Sequence, residues 1–386
     1  MQASTLCTPT KDHIGTIFVA IELSQRSWLV TIHAPDRDRM SRHKLAGGDH
    51  IGLLALIGKV RMRAEQKLGA APAVVSCYEA GYDGFWLHRC LTAAGITNFV
   101  FDPASIAVDQ RARRAKTDRI DGELAIRTLM AHWRGEPRVV RSVHVPSTEQ
   151  EDARRQTRER QRLITEQTAH TNRMKALLRL IGMPVGNPRR RDWLIWLERQ
   201  RDWQGQPVPP QLMAELKHEH ARLMLLRDQI EVLSEAAAGV ELSAAAAQMT
   251  QRCALLRRLK GVGPVFAATL TNEVFYKDFR NRREVAGYIG LAPSPWRSGG
   301  TDREQGISKS GNPRARHKAI ELAWLWLQHQ PESALSRWFL ERTLNASKRF
   351  RRIAIVALAR KLIVALWRYL TAGLVPQGAM FNMCNG

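Results

Sequence analysis

The chain has 386 residues, with 59 Lys plus Arg against 36 Asp plus Glu, a formal net charge of +23 and an isoelectric point near 10.7. That length allows two or three domains with substantial cores, and so basic a balance predicts a polyanionic partner held by phosphate neutralisation and counterion release. A membrane protein is excluded as an expectation, because no apolar run reaches spanning length and the first residues lack a basic stretch followed by an apolar core. Five scattered cysteines without CxxC, and twelve histidines without HExxH, argue against a disulfide framework or a zinc site, so any metal would be held by carboxylates.

In chain order, residues 1–15 show no periodicity. The apolar run Ile17–Leu23, interrupted by Glu22, and the run Ser27–His33 read as a β-hairpin, with a third strand around His43–Ala46. A helix follows over about Asp49–Leu68, then a strand at Ala73–Tyr78 with Glu79 at its end. Helix Asp83–Ala94, strand Thr97–Phe101 and a helix over about Thr117–His132 complete the pattern. Three antiparallel strands followed by alternation of helix and strand resemble the ribonuclease H fold.

From Ser147 to about Leu180 the chain is a charged helix with an apolar stripe at Leu163, His170, Met174, Leu177 and Ile181, and a second such helix runs over about Gln211–Ala238. The spacing predicts an antiparallel pair or an intermolecular coiled coil, and equally allows stripes that simply pack on the neighbouring domain. Gly186–Pro210 between them reads as a loop with one short helix at Asp192–Gln200. In Leu256–Leu270, Gly261 and Gly263 precede Pro264 at a helix start, a helix-hairpin-helix-like pattern whose backbone amides would approach a phosphate. Gly290–Asn312 is the most irregular stretch of the C-terminal half. The last helix covers Ala354–Leu370, preceded by the basic run Lys348–Arg352. The fold class is therefore α/β plus all-α: a catalytic-type domain over 16–146, a helical coiled-coil region over 147–250, and a mainly helical domain over 251–375.

Four acids carry the chemistry. Asp118 and Asp121 lie three apart on one helix face, next to the basic cluster Arg111, Arg113, Arg114 and Lys116, which suits phosphate. Like charges so close are comfortable only with a cation or a proton between them. Read alone, the pair is best explained as a helix start, with Asp118 as cap and Asp121 favouring the dipole. Glu22 sits inside an otherwise apolar strand, an expensive position unless the acid is paired or metal-bound. With Glu79, the four would hold Mg²⁺ (or Mn²⁺) around one pocket.

Three acidic motifs, Ala20-Ile21-Glu22-Leu23-Ser24, Tyr78-Glu79-Ala80-Gly81 and Lys116–Asp121, resemble those of the DEDD insertion-sequence transposases, which are bridge-RNA-guided serine recombinases with a RuvC-like domain. The Leu259–Ala268 hairpin, Gly290–Pro293, Arg297–Gly300 and Gly306–Asn312 resemble that family's second domain. The resemblance implies a bacterial DNA recombinase in the cytoplasm, at the nucleoid. In it the acids Glu22, Glu79, Asp118 and Asp121 and a serine matching Ser298 act on the same DNA strand through a phosphoserine link. Donor and target DNA, a structured guide RNA and a homo-oligomer, dimer or tetramer, are its implied partners. Ser298 stands before Gly299-Gly300 with Arg297, Arg303, Lys309 and Arg314 nearby to stabilise charge, but Ser294, Ser308 and Ser310 fit the residue pattern too. Two departures stand out. The first acid is Glu22 where Asp is usual, and Gly122 replaces a usual alanine, which is expected to weaken the helix start slightly. A RuvC-like nuclease using water, and a non-catalytic nucleic-acid scaffold, are the alternative functions.

Overall fold

The structure is a computed structural model, and it describes residues 15–106, 118–236, 244–298 and 301–382. The chain divides into two compact units, residues 1–146 and 147–386.

The first unit is built on a five-stranded sheet. Its strands are β1 (Thr16–Glu22), β2 (Ser27–His33), β3 (Ser41–Ala46), β4 (Ala73–Glu79) and β5 (Thr97–Phe101), in the order β3-β2-β1-β4-β5. β1 is antiparallel to β2 and parallel to β4, and β4 is parallel to β5. The two central strands read as continuous apolar runs because both faces of the sheet are covered. Ile17, Val19 and Ile21 pack with Leu53 and Ile57 of α1 (His50–Leu68) and with Leu87 and Leu91 of α2 (Trp86–Ala93). Phe18 and Ala20 point to the opposite face. There they join Val75 and Cys77 beneath Ile126 and Leu129 of α3 (Asp118–Trp133). This is a mixed α/β domain consistent with the ribonuclease H-like expectation.

The second unit is helical. α4 (Thr148–Leu180) starts in a capping box, with Ser147 and Gln150 bonding each other's backbone amides. It packs antiparallel on α6 (Pro210–Ala236) of the same chain: Arg160 bonds Ser234, His170 pairs with Glu219 and Arg173 with Glu215. The described chain makes the antiparallel pair that the stripe allowed. The stripe residue His170 lies at the edge of that seam, while Met174 and Leu178 fill it together with Trp193 and Leu197 of α5 (Trp193–Glu198).

The remaining helices are α7 (Ala244–Arg257), α8 (Pro264–Glu273), α9 (Arg282–Tyr288), α10 (Pro313–His329), α11 (Ala334–Thr343) and α12 (Lys348–Ala372). They share one core, with Leu358, Leu362 and Leu366 of α12 in it. The basic run 348–352 forms the first turns of α12, which begins at the Ser347 cap, and does not precede the helix. Residues 290–312, expected to be irregular, contain a hairpin of β6 (Pro293–Ser298) and β7 (Thr301–Ile307). Its proline and glycine content hid it. In a two-stranded ribbon both strands are edges, so Pro293 and Pro295 are tolerated, and the register shifts between them. Among the described residues no helix is long and apolar enough to cross a membrane.

Candidate functional site

The register of β1 against β4 is the central observation. Thr16 faces Ala73, and the pairing runs in step to Ile21 and Tyr78. The next residue on each strand is an acid, Glu22 and Glu79, so the two stand side by side at the C-terminal ends of adjacent parallel strands, roughly 5 Å apart in backbone spacing. Alternation of side chains sends both to one face. Glu22 continues the series Phe18, Ala20, and Glu79 continues Val75, Cys77, which is the face covered by α3. Both acids are exposed: Glu22 is the last residue of β1, not inside the strand as the sequence predicts, so burial imposes no cost on its charge. Burial first, and the Glu79 carboxylate second, push the Cys77 thiol up beyond its ordinary range.

α3 covers that face and carries Asp121 in its first turns. Asp121 is half-buried and lies one turn before Ala125, which packs on the sheet with Ile126 and Leu129. Gly122 sits directly on β2: a Cβ there would be 2.3 Å from the hydroxyl oxygen of Thr31, a side chain only 1% exposed. The glycine therefore does more than slightly weaken the helix start, as its propensity alone suggests. It lets the first turns of α3 approach the strand that pairs Thr31 with Ala20, two residues before Glu22. Asp118 opens α3, and its side chain lies outside the described residues, as do Arg111, Arg113, Arg114 and Lys116.

Carboxylate oxygens paired at strand ends are the hard donors that Mg²⁺ or Mn²⁺ prefers. In donor type and placement Glu22 and Glu79 fit such an ion. Among the described residues no three His, Cys, Asp or Glu lie close enough to share one, a set that omits the Asp118 side chain.

In the second unit, Ser298 is the last residue of β6 and pairs with Thr301, with Gly299 and Gly300 between them. Those glycines, and the side chains of Arg297, Ser298 and Arg303, lie outside the described residues. The root of the hairpin is well defined. The Ser308 amide donates to Ala292 O at 2.8 Å, that of Lys309 to Gly290 O at 3.2 Å and that of Asn312 to Tyr288 O at 2.9 Å. Gly290 (φ +68°) and Gly311 (φ +86°) occupy left-handed backbone in which a Cβ would meet Ser310 O at 2.0 Å and Tyr288 O at 2.2 Å. Lys309 itself has φ 55°, unusual for a residue with a side chain. Arg314 follows in the first turn of α10, where Asn312 accepts its amide at 3.0 Å. Gly261 (φ +84°) packs against His329, and Gly263 caps α8.

Sequence reading missed one element here. Glu273, 1% exposed, closes the apolar helix α8 and receives two hydrogen bonds from Arg158 of α4, at 2.7 and 3.0 Å, and one from Asn312 at 2.9 Å. Asn312 is also the cap of α10. One carboxylate thus ties α4, α8 and the exit of the hairpin together. Burial pushes its pKa up, but the Arg158 hydrogen bonds and charge outweigh that and hold it below the usual glutamate range. An acid at the end of an apolar helix was the available signal.

The class of protein follows from comparison: a family model of the IS110 DEDD type, described as a transposase, matches residues 19–183, the stretch that holds the sheet and its acids. A second model, described as the Transposase IS116/IS110/IS902 family, matches residues 253–337. The chain is 47% identical over 384 residues to y4rJ, a candidate transposase of Sinorhizobium fredii, covering 97% of each chain. It is 26% identical over 340 residues to the transposase for insertion sequence element IS1111A of Coxiella burnetii, covering 85% of this chain and 86% of that one. The chain belongs to the IS110/IS116/IS902 family of insertion-sequence transposases, enzymes that act on DNA.

Proposed function

We propose that the protein cuts and rejoins DNA strands through a covalent serine–phosphodiester intermediate, with Glu22, Glu79, Asp118 and Asp121 as metal-binding carboxylates and Ser298 as nucleophile. The observation that carries this reading is the β1–β4 register, which aligns Glu22 with Glu79 on the α3 face, in a chain of this transposase family. In the proposed step the Ser298 hydroxyl oxygen forms a bond to phosphorus as the bond from phosphorus to the deoxyribose oxygen breaks. The hydroxyl proton passes to a carboxylate, and the departing oxygen takes up a proton. Reversal with a different strand end rejoins the DNA and frees the serine. A bound Mg²⁺ or Mn²⁺ would supply Lewis-acid stabilisation of the developing phosphate charge. Arg297, Arg303, Lys309 and Arg314 hold the phosphate, and Arg111, Arg113, Arg114 and Lys116, with the Gly261–Gly263 turn, hold flanking backbone.

The resemblance stated from the motifs supports the rest of the reading: a structured guide RNA and a homo-oligomer, dimer or tetramer, holding donor and target DNA. The net charge of +23 suits three nucleic acids at once. Trapping a covalent protein–DNA adduct tests the chemistry. The adduct is expected with the intact chain, lost in Ser298→Ala and retained in Ser294→Ala, Ser308→Ala and Ser310→Ala. An active protein that never forms it is a nuclease using water. Sequencing RNA that copurifies with the protein tests the guide: one enriched structured species is expected, and a random population refutes it.

A further inference from the structure

We infer that a cationic groove between α9 and α12 grips the sugar–phosphate backbone of duplex DNA. The groove, about 830 Å³, is lined by Arg282 and Arg283 of α9 and by Arg360, Lys361 and Arg368 of α12, and none of its described lining residues is acidic. Lys361 has a local contact, its ammonium 4.7 Å from the centre of the Trp338 ring, but nothing in local stability accounts for the four arginines. Arg282 and Arg283 stand in the first turn of α9, where positive charge opposes the helix dipole, and the cap there is already supplied by Asn281. On α12, Leu358, Leu362 and Leu366 turn to the core, while Arg360, Val364 and Arg368, four apart, share the other side. No described residue gives the guanidinium groups of Arg282, Arg283, Arg360 or Arg368 a hydrogen bond or ion pair, whereas Arg280, beside them in sequence, is paired with Glu284. Clustered arginines of this kind are complementary to a polyanion.

The rest of the lining selects the occupant. Apart from Gln377 it is apolar, including Leu335 and Val364, and it contains no aromatic ring. Proteins that hold single-stranded RNA stack its splayed bases on aromatic side chains. A groove of arginines over aliphatic side chains instead meets regularly spaced phosphates and reads no base. Ala292 and Pro293, where β6 begins, form part of the wall. Ser298 is the last residue of that strand, about 17 Å further along an extended backbone. A duplex seated here would be held within reach of the hairpin; that choice of DNA rests on the proposed role of Ser298.

The test is a salt titration of binding by the full chain, in a Ser298→Ala background, to a short DNA duplex of arbitrary sequence and to an RNA hairpin of equal duplex length. For Arg360→Ala/Arg368→Ala the slope of log affinity against log salt for the duplex is expected to shrink by about 2, with affinity down about tenfold at moderate salt and RNA binding unchanged. Arg282→Ala/Arg283→Ala, on a different helix, is expected to act alike, and lysine at all four positions to restore the slope. An unchanged duplex slope in both double variants, or a loss as large for RNA, overturns the inference. If the groove variants lose duplex binding in a protein that makes no serine adduct, the groove stands and only the chemistry assigned to Ser298 falls.

Discussion

Glu22 and Glu79 occupy the same register step on two neighbouring parallel strands, one residue past the Ile21–Tyr78 pair, and alternation turns both toward α3. Two carboxylates side by side at exposed strand ends repel each other, and a divalent cation between them would turn that repulsion into shared coordination. Without metal, Glu79→Gln is expected to leave the melting temperature unchanged or raise it. Added Mg²⁺ is expected to raise the melting temperature of the wild-type chain and not that of the variant. A stabilisation by Mg²⁺ that survives in Glu79→Gln refutes the metal-binding role.

Strand cleavage by Glu22→Gln is expected to fall about 100-fold or more, because the substitution keeps the volume and removes the charge. Glu22→Asp is expected to retain cleavage with a changed preference between Mg²⁺ and Mn²⁺, since the shorter arm alters reach and not charge. Full cleavage by Glu22→Gln under saturating metal sinks the assignment.

Gly122→Ala replaces a helical glycine with a better helix former, a change worth about 1 kcal/mol in favour of folding on propensity alone. The buried Thr31 hydroxyl, 2.3 Å from the new Cβ, reverses the sign. Thr31 is β-branched and stiff at χ1, so it cannot turn away cheaply. Denaturant unfolding is expected to show a net loss of about 1–3 kcal/mol. Thr31→Ala in the same chain is expected to recover most of it, a coupling that a double-mutant cycle reads directly.

Glu273→Ala leaves Arg158 and Asn312 without their carboxylate partner. Because Arg158 is 41% exposed, solvent screens its side of the pair, and the expected loss is about 2 kcal/mol. The pH dependence follows from the lowered pKa. Above the ordinary glutamate value of 4.5 the carboxylate is charged in both states and its stabilisation is fully present; it disappears as pH falls through the lower folded value. Acid unfolding of Glu273→Gln is expected to lack that component.

Gly290→Ala and Gly311→Ala each place a Cβ in left-handed backbone and against a carbonyl about 2 Å away. Both are expected to disturb the hairpin root. The measurable outcome is loss of the covalent adduct while Mg²⁺ stabilisation of the acid pair persists. An adduct yield equal to wild type in both variants shows that the hairpin tolerates a displaced root.

The sequence by itself determined the element order of the first unit, the paired apolar stripes of α4 and α6, the acids and their motifs, because periodicity and residue type are local properties. It determined the electrostatic class of partner as well, since +23 is a sum over residues and needs no geometry. Tertiary structure decided what depends on pairing across distance. The β1–β4 register set Glu22 beside Glu79, although 56 residues lie between them in the chain. Contact with Thr31 turned Gly122 from a weak helix residue into a close-approach position. The hairpin carrying Ser298 was masked by its own prolines and glycines, and Glu273 acquired its role only when Arg158 and Asn312 closed on it. Five cations distributed over α9 and α12 became one groove for the same reason: helix packing brings together charges that no sequence window contains.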